Sequence, residues 1–169
     1  MILMLGVLAT PALWATCVAS INASKPDTIY TDNGNGTITD NQTHLMWIQC
    51  SEGLSSGVSP CDSGTMMYFT WEEALVYVET FNSGGGFAGH TDWRLPNVNE
   101  LASLIERRCY NAAVNETFFA NTGSGTADYW SASPATNGTY AWSVDLAYGQ
   151  IEKSLKTNSL NVRLVRDAQ

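Results

Sequence analysis

T-D-W-R-L-P-N-V-N-E-L, from Thr91 to Leu101, decides the architecture of this chain. Pro96 fixes its own φ and pushes Leu95 out of the helical region, so an extended segment ends there. Asn97 is placed to cap a helix, and Glu100, three residues on, to reach back and close a capping box. The stretch therefore predicts a strand, a hard stop and a helix start, with the helix running from Val98 to about Arg107 and burying Leu101, Ala102 and Ile105. Arg94 and Glu100 are read as structural. A guanidinium at this junction is placed to pair with Glu100 or Asp92 and fasten helix to sheet, rather than to hold a ligand carboxylate.

Upstream, Thr70 and Glu73 repeat the capping-box spacing. Trp71, Ala74, Leu75, Val78 and Phe81 then fall on one helical face, and Ser83-Gly84-Gly85-Gly86 ends the helix. Tyr30 to Asp40 carries Asn-Gly twice between short β-prone pieces, which is a hairpin signal. Asp32, Asn33, Asn35 and Asp40 offer oxygens, but the alternate positions from Asp32 are glycines, so a calcium loop is excluded. Leu45 to Gln49 reads as a buried strand.

Downstream, Tyr140, Trp142, Val144, Leu146 and Tyr148 alternate with small or polar residues, the period of a strand. Gly149 breaks the run, Ile151–Thr157 begins another strand, Asn158-Ser159 turns, and Val162–Arg166 closes the chain. The five tryptophans beyond the expected leader, at 47, 71, 93, 130 and 142, are assigned to the core. The layout is α+β, with two helices packed on an antiparallel sheet and long loops between them.

The chain has 169 residues, only 14% of them charged, and a net charge of −8. That length suits a single domain with a real core. Eight basic residues against sixteen acidic ones argue against nucleic acid, a heparin-like ligand or an anionic membrane surface. Residues 1–24 carry no charged side chain, and their first fifteen are mostly apolar. The run is too short to span a bilayer and ends in small residues, so residues 1–23 are expected to be a signal peptide and 24–169 the mature domain. A lipoprotein signal ending at Cys17 is the second reading, and it is the one route to a membrane. Cys50 and Cys61 flank a turn-forming segment and are expected to be bridged in an oxidising compartment. Cys109 is then left over, either a buried thiol or an intermolecular contact. The cysteine spacing fits no zinc pattern, and His44 and His90 stand apart as loop or surface residues.

The motifs T-D-N-G-N-G-T-I-T-D-N-Q-T-H-L-M-W, T-W-E-E-A-L, T-D-W-R-L-P-N-V-N-E-L, Y-W-S-A-S and V-R-L-V-R occur in this order between Tyr30 and Arg166. Together they resemble the Lcl C-terminal domain family, bacterial domains named after the end of a collagen-like adhesin. The R-L-P-x-x-x-E core and the closing V-R-L-V-R also resemble formylglycine-generating enzymes, a likeness that implies a C-type-lectin-like fold. The adhesin domain's attachment to sulfated glycosaminoglycans implies a binding role, but the acidic balance here departs from that and disfavours a sulfated polymer.

No catalytic constellation is legible. A copper oxidase of the formylglycine-generating type needs a late cysteine pair, and no cysteine follows Cys109. Neither His44 nor His90 lies in a recognisable serine-hydrolase context, and the glycine run 84–86 lacks the Lys and the Ser or Thr that complete a phosphate loop. The expectation is a non-enzymatic exported module, free of cofactors, in the periplasm, on the outer surface or secreted. It would bind a glycan or protein, with a self-assembling structural subunit as the alternative. Asn137, Tyr140, Tyr148, Lys153 and Asn158, near turns of the C-terminal strands, are the candidate ligand contacts, because aromatic faces flanked by amides suit sugars and proteins alike.

Overall fold

The computed structural model describes residues 15–55, 61–122 and 127–168, so the first fourteen residues of the expected leader lie outside them. In chain order the elements are β1 (Thr16–Cys17), a single 3-10 turn (Asp27–Ile29), β2 (Tyr30–Asp32), β3 (Thr37–Asp40), β4 (Leu45–Ile48), β5 (Leu54–Ser55) and β6 (Ser63–Gly64). Then come α1 (Trp71–Ser83), α2 (Val98–Ala102), β7 (Cys109–Tyr110), β8 (Asp128–Pro134), β9 (Tyr140–Asp145), β10 (Gln150–Leu155) and β11 (Val165–Asp167). The fold is α+β. One sheet has the order β11-β4-β3-β2 and a second β10-β9-β8, with β1-β7 and β5-β6 as small separate pairs.

Both capping boxes form. Thr70 and Glu73 close one at the start of α1, and Asn97 and Glu100 close the other at the start of α2. The hairpin from Tyr30 to Asp40 turns through Gly34 and Gly36, both at positive φ. The second helix is shorter than its apolar spacing predicts. After Ala102 the amides of Leu104 and Ile105 bond three residues back, and Glu106 N turns to Ala113 O at 2.8 Å. That tighter winding ends the α-helix while still burying Leu101, Leu104 and Ile105. The last strand also begins late, because Val162 and Leu164 give their carbonyls to Glu52 and Ile48 as separate bonds before β11 pairs regularly with β4.

Neighbouring residues of β8 point to opposite faces, and each face has its own core. Tyr129, together with Val144 of β9, joins Leu101, Trp47, Ile38 and Val165 in one cluster. Trp130 and Ala141 join Ala74, Trp93, Leu95 and Leu164 in the other. The two helices therefore pack on opposite sides of the β8-β9-β10 sheet. The stripe Trp71, Leu75, Val78 and Phe81 lies half-buried against the second cluster, around the fully buried Ala74.

The cysteines partition differently from the expectation. Cys50–Cys61 is bridged as anticipated. Cys109 is not left over: it is bonded to Cys17, which sits directly opposite it in the β1-β7 pair. The reading of Cys109 as an unpaired thiol or intermolecular contact is thereby corrected. It failed because residues 1–23 had been set aside as leader, taking the partner with them.

Candidate functional site

The sequence motifs turn out to be fasteners. Arg94 and Val165 exchange backbone bonds of 2.9 and 3.0 Å, which seats the T-D-W-R-L-P stretch against the closing V-R-L-V-R. Arg94 forks onto Glu100 with bonds of 2.7 and 2.9 Å and also reaches Asp167 at 2.9 Å. Arg166 in turn forks onto Asp92 at 2.8 and 3.1 Å. The Arg166 guanidinium holds the Asp92 carboxyl below the usual carboxylate range, and the Glu100 carboxylate, helped by Asp167, raises the pKa of Arg94. Trp93 is fully buried, with its backbone clamped at both ends by the Asn82 side-chain amide.

Arg163 is wholly buried. Its guanidinium donates to the carbonyls of Ile48 and Gln49 and to the hydroxyls of Ser51 and Thr122, and it lies 5.3 Å from the Phe119 ring centroid. These contacts fasten the fold.

The five candidate contacts separate into three places. Tyr140 opens β9 opposite Leu155, and the exposed Asn137 and Asn158 lie in the turns at that same end of the hairpin. Lys153 is mid-strand, opposite Trp142, with its ammonium 5.0 Å from the indole centroid. Tyr148 lies in the turn at the far end, roughly 17 Å along the strand from the Tyr140 end. It is 59% exposed. β9 stops at Asp145, whose carboxylate accepts from Ala147 N at 2.7 Å and turns the chain before Tyr148. Tyr148 therefore does not share the strand face its spacing suggested.

Trp142, assigned to the core from its alternation, is half-buried and belongs to neither core cluster. The reason is on the other face of the strand. Trp130 fills the space opposite Ser143, so β9 turns its small residues Ala141 and Ser143 toward that core and leaves Tyr140 and Trp142 on the opposite face. That face keeps Val144 in the core and then runs out past it into solvent. Its open part presents Tyr140 beside Leu155 and Trp142 beneath Lys153, with Ile151 49% and Leu155 39% exposed. Trp142, Ile151 and Leu155 are the members that sequence reading missed. The pairing of β9 with β10 is what brings them together.

Of the concavities elsewhere, two adjoin buried carboxylates. One of about 440 Å³ lies along the N-terminal segment and is lined by Lys25, Glu106, Arg108, Asn115 and Glu116. Glu106 there is engaged by the amides of Ser24, Lys25 and Arg108, and Asn115 by Lys25 and Asp27. The other, about 170 Å³, lies between Ile48, Phe81 and Phe87 beside Glu52. Burial raises the pKa of Glu52, although the Tyr77 hydroxyl donates to it at 2.6 Å.

The motifs that make these contacts run in one order along the chain, and a single family's sequence profile spans them. The chain belongs to the Lcl C-terminal domain family, whose sequence profile matches residues 36–166. No curated protein sequence matches it significantly.

Proposed function

We propose that the chain is an exported, non-catalytic adhesion module that binds a carbohydrate chain on the outer face of the β9-β10 hairpin. The observation that carries this reading is the half-buried pair Tyr140 and Trp142, flanked by Lys153 and the exposed Leu155 on the same strand face. Aromatic faces accept the apolar faces of pyranose rings, while Lys153, Asn137 and Asn158 supply donors and acceptors for hydroxyls. Membership of an adhesin-named family agrees with a surface role, and two disulfides suit an oxidising, exported environment. The net charge of −8 favours a neutral sugar over a sulfated one.

The test is a glycan array with the purified domain and its Tyr140→Ala and Trp142→Ala variants. The reading expects saturable binding to a neutral glycan, weakened at least about tenfold in each variant, the loss of one stacking contact. Binding that both variants keep intact would overturn it.

One observation favours a second reading, self-assembly. β10 is the edge of its sheet and pairs regularly over six residues on one side only, and such an edge is a template for another strand. Two-fold registers centred on Glu152 or Lys153 set like charges opposite each other, which opposes pairing. A stable oligomer in light scattering that Ile151→Lys dissolves would favour this reading over the first.

A further inference from the structure

Residues 15–27 run as a strap across residues 105–116. Ala15 N donates to Glu116 Oε2 at 3.0 Å, and Val18 N donates to Arg108 O at 2.8 Å. Cys17 and Cys109 are paired in register and joined by a disulfide. Ser24 N and Lys25 N donate to Glu106 at 3.0 and 2.8 Å, and the Asn115 amide donates to Lys25 O and Asp27 Oδ1. The bonds made by Cys17, Val18, Ser24, Lys25 and Asp27 make residues 17–27 part of the folded domain rather than a discarded leader.

Sulfur chemistry sharpens the point. A leader cut after Ala23 would carry Cys17 away and strand Cys109. Lipidation would turn the Cys17 sulfur into a thioether, which can form no disulfide. One sulfur atom has one fate.

We infer that export processing cuts on the N-terminal side of Cys17, at the Ala15–Thr16 bond, and that Cys17 is retained as the partner of Cys109 and is not lipidated. Ala15 provides the small residue that leader peptidases accept before the cut. Hydrolysis adds one water, leaving a carboxylate on Ala15, which departs with the leader, and an amine on Thr16. That new ammonium emerges one residue from the atom that Glu116 already binds, so a carboxylate is in place to receive it. The two thiols then lose two electrons and two protons to a disulfide oxidant of the export compartment, which leaves as a dithiol.

The experiment is intact-mass and N-terminal peptide analysis of the full chain exported with its own leader from a Gram-negative host. It is run with thiol alkylation before and after reduction, and on Cys17→Ser in parallel. The expected wild type begins at Thr16 and has no alkylatable thiol before reduction and four after it, matching the four cysteines of the chain. Cys17→Ser is expected to be cut at the same bond and to expose one thiol, Cys109. A mature chain beginning at Ser24, an unprocessed chain beginning at Met1, or a lipid mass on Cys17 would each overturn the inference.

Discussion

Arg163 carries a full charge into a completely buried site and is held there by neutral acceptors. Burial depresses its pKa, and Tyr129 and Glu52 oppose that effect. Removing the side chain would leave two carbonyls and two hydroxyls without their donor, at about 1–3 kcal/mol for each group left unsatisfied. Arg163→Ala is therefore expected to lose about 3 kcal/mol or more in urea unfolding. Arg94→Ala, which breaks a half-exposed ion pair, should lose about 1 kcal/mol. Equal losses would show that the buried guanidinium is not the anchor it looks like.

Glu106 gives a pH signature. Burial alone would raise its pKa, but hydrogen bonds from Lys25, Arg108 and Ser24 outweigh burial and lower it. A carboxyl whose folded pKa is depressed stabilises the fold above its unfolded value, about 4.3. That stabilisation is lost as pH falls through the folded value. Thermal melts of Glu106→Gln should sit below wild type at neutral pH and converge with it in acid. A gap that persists unchanged in acid would contradict the assignment.

Elements were legible where local chemistry decides them. The two capping boxes and the Asn-Gly turn specify their own backbone, so α1 and the first hairpin stand where their residues predict. Alternation along β9 misled because the strand meets one core at Ala141 and the other at Val144, and so has no single inner side. Trp130, a neighbour in space and not in sequence, determined which side received the small residues. For the same reason the site was only half readable: Tyr140 and Lys153 were singled out singly, whereas Trp142, Ile151 and Leu155 join them only through the β9-β10 register. The crowding beside Trp130 makes a prediction at this scale. Ala141 is fully buried, so Ala141→Leu should overpack the sheet and cost about 1–3 kcal/mol in chemical denaturation. A neutral result would mean that Trp130 does not set the strand's facing.

Over the whole molecule, the two arginine-bearing motifs, T-D-W-R-L-P and V-R-L-V-R, and both disulfides serve closure. The Cys17–Cys109 bridge spans 92 residues and the Cys50–Cys61 bridge spans 11. Loop entropy therefore assigns the longer one the larger effect, about 4–5 kcal/mol against about 3. Arg94, Arg166 and Arg163 lock the chain's end onto its middle, and past Val144 the outer face of the β9-β10 hairpin carries no such fastener. The account's central claim is that this outer face is the binding surface. The most direct test is amide chemical-shift mapping of the 15N-labelled domain while it is titrated with a neutral glycan selected on the array. The account predicts saturating shifts concentrated at Tyr140, Trp142, Lys153 and Leu155. Shifts that leave these residues still and gather around Glu52 and Tyr77 would contradict it.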